Sequence, residues 1–186
     1  MSYRINLSDV EAVCRDARNL AADIGSLAKG MSSGAQAVLS LGAFAGQGAE
    51  ACRARVSECS FALSQALAVV ASSISCESSL YLSSWHELED ANSALLGTDE
   101  ITEVAKRALA GWGTFQGIVS DIQHAVWGVD DIVSPALPSP QGALSAFARC
   151  RTESEITRDK GEAIEAQGAA RAASVSSLLD SLESFV

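Results

Sequence analysis

Residues 86–90 carry the arrangement that comes nearest to a catalytic motif in this chain. Their sequence, His-Glu-Leu-Glu-Asp, begins like H-E-x-x-H, in which two histidines one helical turn apart bind zinc and the glutamate acts as general base. The second histidine position holds Asp90, and the chain has only one histidine besides His86, at His124. The sequence therefore argues against a zinc hydrolase, and we expect no metal site and no cofactor.

Other residues of reactive type also lack the spacing that their chemistry needs. The glycines between Gly42 and Gly48 are not followed by the lysine of a phosphate-binding loop, and those between Gly111 and Gly117 follow no predicted strand. Serines are frequent, yet no G-x-S-x-G nucleophile elbow occurs. We therefore predict no catalytic residue, and we interpret the chain as a non-enzyme.

The cysteines give no sign of a disulfide framework or of a zinc site. Their number is odd and no C-x-x-C pair occurs. We expect all five to be reduced, small apolar residues in a helical core; they are Cys14, Cys52, Cys59, Cys76 and Cys150.

The charge balance limits the classes of partner. The formal net charge is −10, and lysine occurs only at Lys29, Lys106 and Lys160. Nucleic acid and anionic membranes attract clustered lysine and arginine, so neither is expected as the main partner.

No Sec-type signal is visible near the N-terminus, because residues 1–19 are polar and include Arg4, Asp9 and Asp16. The most apolar window, Phe61–Ala71, is shorter than the roughly 18–20 residues that span a bilayer. We therefore expect synthesis in the cytoplasm, no stable membrane insertion, and a Sec-independent route if the protein is secreted.

Two long apolar stripes flank a glycine-rich turn at residues 41–49. A sustained 3/4 spacing places apolar residues on one face of a helix. The first stripe comprises Val10, Val13, Ala17, Leu20, Ile24, Leu27, Met31, Val38 and Leu41. The second comprises Cys52, Val56, Cys59, Leu63, Ala66 and Val70, and it continues through Leu67, Ile74, Tyr81, Trp85 and Leu88. Together they predict an antiparallel helical hairpin over residues 1–97, with a possible break near Gly30 and a second helix that reaches about Leu96.

Residues 98–186 are predicted to form a second helical lobe. A helix over about 99–110 should end at the glycine- and aromatic-rich segment 111–119, with helical spacing resuming as far as Val133. A proline-rich loop follows at 134–140, and Ser139 is suited to cap the last helix. The fold class is thus all-α: an elongated antiparallel helical hairpin or bundle with a second lobe. Because an apolar stripe is still running at Val186, we expect the protein to continue beyond it.

The chain resembles the LXG domain, the N-terminal region of bacterial toxins exported by type VII secretion. The resemblance covers essentially all 186 residues and rests on the order of several short segments. They are the lead Tyr3–Ser8, the turn Phe44-Ala45-Gly46 followed by Gln47-Gly48-Ala49, the run Val129–Ser134 and the closing Leu179–Phe185. Phe44 stands where the family carries the leucine of L-x-G, and where related small secreted proteins carry tryptophan.

The resemblance implies an export-targeting domain. Such domains bind small helical WxG-like, LXG-associated partner proteins and present the effector to the secretion ATPase. The toxic activity would lie in a separate domain beyond residue 186. The resemblance also implies a hairpin-turn motif at Phe44, Gly46 and Gly48, and a secretion signal formed by Trp85 and Glu89, which share a helix face. A core tryptophan beside a solvated glutamate fits the same spacing.

We assign the partner interface to the two apolar stripes. The residues predicted to contact partner helices are Leu20, Ile24, Leu27, Val56, Leu63, Leu67 and Val70. Two other functions are compatible with the sequence. One is a free-standing cytoplasmic helical adaptor or secretion chaperone; the other is a membrane-inserting pore former that uses Phe61–Ala71 and Gly111–Val133.

Overall fold

The computed structural model describes residues 3–42, 45–91, 94–128 and 139–185. Helices make up 89% of these residues and pack in antiparallel fashion, so the predicted all-α class is confirmed. Phe44 of the turn motif, the segment 129–133 and most of the proline-rich loop lie outside the described residues.

Two short strands and five α-helices follow one another along the described chain. The strands are β1 (Arg4–Asn6) and β2 (Leu95–Gly97). The helices are α1 (Leu7–Leu39), α2 (Gln47–Arg55), α3 (Phe61–Leu88), α4 (Thr98–Trp127) and α5 (Gln141–Phe185). A single π-helical turn, Val56–Ser60, joins α2 to α3 without a break in the helical run.

Residue contacts divide the chain into two compact units that do not follow chain order. The hairpin unit comprises Leu7–Ala94 and Ile164–Val186, and the sheet unit comprises Met1–Asn6 and Leu95–Ala163. The C-terminal part of α5 therefore groups with α1 and α3, whereas a division at residue 97 places it with the second lobe. As a statement about separately folding domains, that division stays a prediction.

The core of the hairpin unit is a seam of small residues between α1 and α3. On α1, five of the six buried side chains recur at seven-residue intervals, and most of the six are small. They are Leu7, Val10, Cys14, Ala21, Ala28 and Ala35. Facing them, α3 buries Ser64, Val70, Ala71 and Trp85. Small side chains let two helices approach closely, and the Cα atoms of α1 and α3 come within 8 Å of one another.

The open end of the hairpin is closed by larger groups. Leu7 and Trp85 are both completely buried, and the Leu7 amide donates to the Ala94 carbonyl at 3.0 Å. One turn further along α1, a carboxylate oxygen of Glu11 lies 3.3 Å from Nε2 of His86 on α3. These contacts fix which residues of the two helices face each other.

In the sheet unit, β1 and β2 pair antiparallel, with Arg4 opposite Gly97 and Asn6 opposite Leu95. Thr98 extends this pairing, because its amide donates to the Tyr3 carbonyl at 3.0 Å and its hydroxyl accepts from the Tyr3 amide at 2.9 Å. The sequence predicts no strand here, and the prediction that the second helix reaches about Leu96 is wrong, because α3 ends at Leu88.

Neither the break considered near Gly30 nor the helix end predicted before segment 111–119 is present. α1 continues through Gly30, and α4 continues through the glycine- and aromatic-rich segment 111–119. At Gly111 the missing side chain leaves room for the ring of Phe147 on α5, which also packs on Phe115 with ring centroids 6.3 Å apart. Packing of this kind can offset the roughly 1 kcal/mol that a glycine costs inside a helix.

The cap predicted for the last helix is present. The hydroxyl oxygen of Ser139 accepts a hydrogen bond from the Gln141 amide at 3.4 Å, with Pro140 between them. Asn, Asp, Ser and Thr favour this position because their side chains satisfy a free amide of the first turn.

Candidate partner-binding surface

A row of large apolar side chains on α1 is left open to solvent. Val13, Leu20 and Leu27 are 68%, 55% and 58% exposed, and each lies seven residues from the next. The same row continues at Gly34 and, just beyond the helix, at Leu41, which is 54% exposed. We call these five residues the outer stripe. Side chains at seven-residue spacing form the line along which a second helix packs.

A half-buried row lies between the outer stripe and the small-residue seam. Its members, again at seven-residue spacing, are Ala17, Ile24, Met31 and Val38. Together with the outer stripe it makes up the 3/4 pattern seen in the sequence. Of the predicted interface residues on α1, the structure therefore leaves Leu20 and Leu27 exposed and Ile24 partly covered.

The predicted interface residues on the returning helix are less open. Val56, in the π-helical turn, and Leu63 and Leu67 on α3 are half-buried, whereas Val70 is only 2% exposed and belongs to the core. Val69 and Leu80, which are 55% and 44% exposed, are not among the predicted interface residues. Their apolar type was visible in the sequence. The phase of the helix, which decides which apolar residue faces outwards, was not.

The helical run Gln47–Leu88 has a longer apolar stretch than the sequence suggested, and little of that stretch is buried. Within the described chain, Gln47–Leu88 is the one helix long and apolar enough by length and composition to cross a membrane. An 18-residue window in it has a mean hydropathy of 1.6 and at most two charged residues, and 17% of the window is buried. The apolar stretch is therefore longer than the predicted window Phe61–Ala71. Core helices of soluble proteins share such length and composition, but they are mostly buried.

The turn between the two helices depends on one glycine. Gly46 has φ of 108°, a conformation that residues with a side chain rarely adopt, and its carbonyl accepts hydrogen bonds from the amides of Ala49 and Glu50. Gly48 is already inside α2. The Arg53 guanidinium donates to the Leu41 carbonyl at 2.7 Å, which ties the start of the turn to α2.

Trp85 and Glu89, the predicted secretion signal, lie in different surroundings. Trp85 is completely buried, with its ring edge-on to Tyr81 at a centroid distance of 6.4 Å. Glu89 ends α3: its amide donates to the Trp85 carbonyl, and its carboxylate accepts from the Ala91 amide at 3.1 Å. The two residues are close in sequence, but only Glu89 reaches the surface. Trp85 is a core residue beside a partly exposed glutamate, as in the second interpretation given for this spacing.

Polar contacts hold the C-terminal part of α5 against α3. The Tyr81 hydroxyl donates to the Glu165 carboxylate, and the Arg171 guanidinium lies 3.3 Å from the Glu77 carboxylate. Gly168, between them, sits against the ring of Tyr81. Burial, followed by the hydrogen bond to Glu165, raises the pKa of Tyr81 to about 12, so the phenol remains protonated at neutral pH.

The cysteines are mostly not core residues, contrary to prediction. Cys14 is buried in the α1 seam, and burial raises the pKa of its thiol although Arg18 nearby opposes the shift. The other four, Cys52, Cys59, Cys76 and Cys150, are exposed free thiols. Exposed positions on helices accept a small side chain of any polarity, so the sequence could not place them.

The sheet unit contains an apolar cavity of about 460 Å³ between α4 and the start of α5. Its lining includes Phe115, Ile118, Ile122 and Pro140, together with Gln123 and Ser139. Within the described ranges, no group of three or more His, Cys, Asp or Glu side chains could hold a metal ion. The cavity therefore offers packing surface, without a cluster of reactive groups.

No protein-family model matches the chain, and no curated protein sequence does either.

Proposed function

We propose that this chain is the export-targeting domain of a type VII secreted effector of the LXG kind, and that it binds small helical partner proteins along the outer stripe. The observation that carries the proposal is the exposure of Val13, Leu20 and Leu27 at seven-residue spacing. Helix-in-groove recognition uses anchors on one face of an amphipathic helix in this way.

The magnitude of the apolar contribution indicates how large the contact must be. Covering a half-exposed leucine or valine contributes roughly 1 kcal/mol. Association costs an estimated 4–15 kcal/mol of lost freedom, so three such residues do not suffice alone. A stable complex must also cover the half-buried row that includes Ile24.

The remaining steps of the proposed function follow from the resemblance. The complex of this domain with its partners would be presented to the secretion ATPase, and the effector would leave the cytoplasm without a Sec signal. The activity of the effector would reside outside residues 1–186, and we propose no enzymatic activity for this domain.

The test is co-expression of the chain with the small helical proteins encoded beside it, followed by size-exclusion chromatography with light scattering. We expect a heteromer of defined stoichiometry. Leu20→Asp and Ile24→Asp should each abolish it, since either would bury a carboxylate in the apolar contact. Ser26→Asp is the matched control: Ser26 is an exposed α1 residue off the stripe. Intact binding by a folded Leu20→Asp variant would contradict the interface.

The low burial of the apolar window in Gln47–Leu88 favours a second candidate, membrane insertion as a pore former. Its test is leakage of a dye from zwitterionic and anionic vesicles. Leakage that persists when partner proteins are present at saturating concentration would favour this candidate. A chain that leaves vesicles intact while forming the heteromer would favour export targeting.

A further inference from the structure

A row of aspartates runs beside the outer stripe of α1. Asp9, Asp16 and Asp23 are exposed and seven residues apart, so they form a straight line along the helix. Each precedes a member of the outer stripe by four residues, a spacing at which side chains are neighbours on a helix surface. We call these three residues the acidic row.

The other side of the outer stripe is already occupied. There the half-buried row of Ile24 and its neighbours leads into the seam with α3. A helix that packs on Val13, Leu20 and Leu27 therefore has the half-buried row on one side and the acidic row on the other. The row spans 14 residues from Asp9 to Asp23, or about 21 Å at 1.5 Å per residue.

Stabilisation of α1 itself does not account for the whole row. Asp9 lies in the first turn, where a carboxylate interacts favourably with the helix dipole, but that effect fades within one turn. Asp16 has Arg15 Nε at 3.9 Å, with both side chains about 70% exposed, and such a pair contributes little. The charge of Asp16 and Asp23 is thus available to a neighbouring helix.

We infer that the helix which docks on the outer stripe carries a row of Lys or Arg at seven-residue intervals beside its apolar residues, complementary to the acidic row. The inference rests on the proposed function and names the chemistry of the partner. In paired helices, charges that flank the apolar seam select the partner and its orientation. A second copy of this chain fits poorly, because it brings its own net charge of −10.

The test uses two synthetic 28-residue helical peptides with the same leucine seam, one flanked by lysine and the other by glutamate. Each is labelled and titrated with the 186-residue chain, and fluorescence anisotropy reports binding. We expect the lysine peptide to bind about tenfold more tightly at low salt, as three exposed charge pairs allow. The difference should shrink as salt screens the charges.

Two triple variants locate the effect. Asp9→Asn/Asp16→Asn/Asp23→Asn should bring the two peptides to within about twofold of each other. The control, Asp121→Asn/Asp180→Asn/Glu183→Gln, removes the same charge from exposed positions elsewhere and should preserve most of the preference. Equal effects of the two triple variants would overturn the inference, as would equal or undetectable binding of both peptides.

Failure of this inference can be told apart from failure of the proposed function. If Leu20→Asp abolishes the heteromer with the native partners but neutralising the acidic row changes neither its affinity nor its salt dependence, the docking surface stands and the charge assignment falls. If the chain alone forms a dimer that Leu20→Asp dissociates, a second copy is the occupant and the inference is overturned.

Discussion

The phenol of Tyr81 on α3 donates a hydrogen bond to the carboxylate of Glu165 on α5, a residue 84 positions further along the chain. One turn beyond Glu165, Gly168 lies so close to the Tyr81 ring that an added Cβ would come within 2.5 Å of a ring carbon. The ion pair of Arg171 with Glu77 lies beside them. The C-terminal part of α5 therefore packs on α3 through the Tyr81 ring, which lies between the Glu165 carboxylate and the Gly168 backbone, and through this ion pair.

Replacing Gly168 by alanine should destabilise the chain, because its methyl group would overlap the Tyr81 ring. Overpacking of this kind typically costs about 1–3 kcal/mol. Gly25→Ala is the matched control: Gly25 is also helical, nothing lies within 4 Å of its added Cβ, and the change should stabilise by up to about 1 kcal/mol. Urea unfolding followed by circular dichroism measures both. A Gly168→Ala variant as stable as Gly25→Ala would show that the ring does not sit there.

The raised pKa of Tyr81 predicts a stability loss at high pH. The folded state favours the protonated phenol, so this contribution is fully present below pH 10, the ordinary pKa, and disappears as the pH rises through about 12. Tyr81→Phe should be less stable than the parent at pH 8 and should show a shallower decline from pH 10 to 12. Urea midpoints across that range provide the measurement. Parallel declines in the two proteins would contradict the assignment.

Gly46 and Gly48 should respond oppositely to alanine. Neither has an atom within 4 Å of an added Cβ, so the difference between them is backbone conformation. Gly46→Ala should cost about 1–2 kcal/mol, because φ of 108° is strained for a residue with a side chain. Gly48→Ala should stabilise α2 by up to about 1 kcal/mol. Thermal unfolding of both variants and the parent measures the two changes in stability.

Thiol labelling should distinguish Cys14 from the other four cysteines. The thiol of Cys14 is buried with a raised pKa, which lowers both its access and its thiolate fraction. A maleimide at neutral pH should modify four cysteines rapidly and Cys14 only on unfolding. Mass spectrometry of tryptic peptides identifies the sites. Rapid labelling of Cys14 in the folded chain would show that the α1 seam opens readily.

The helical class could be derived from sequence because periodic apolar spacing is a local signal. The 3/4 pattern from Val10 to Leu41 correctly indicated a helix and its broad apolar face. It did not indicate which row of that face is covered. Large residues such as Leu20 dominate the pattern, yet the core contact uses Ala21, Ala28 and their neighbours. Alanine contributes little to an apolar pattern in the sequence, but its small side chain allows a second helix to pack closely.

Features that depend on distant residues were not accessible from the sequence. Arg4 and Gly97 are paired across more than ninety positions, and a three-residue strand has no alternation to detect. The segment around Gly111 is helical, and the ring of Phe147 fills the space that the glycine leaves. In both places a contact made only in the folded chain outweighs the local preference.

The small-residue seam of α1 has a consequence for how the two helices are kept from sliding past each other. Methyl groups such as those of Ala21, Ala28 and Ala35 interlock weakly, so a shift of one helix by a whole heptad would meet nearly the same surface. Axial slip must therefore be prevented at the open end of the hairpin, by the fully buried Leu7 and Trp85. These two side chains fix the register there, and the outer side of α1 beyond them can pack against another helix.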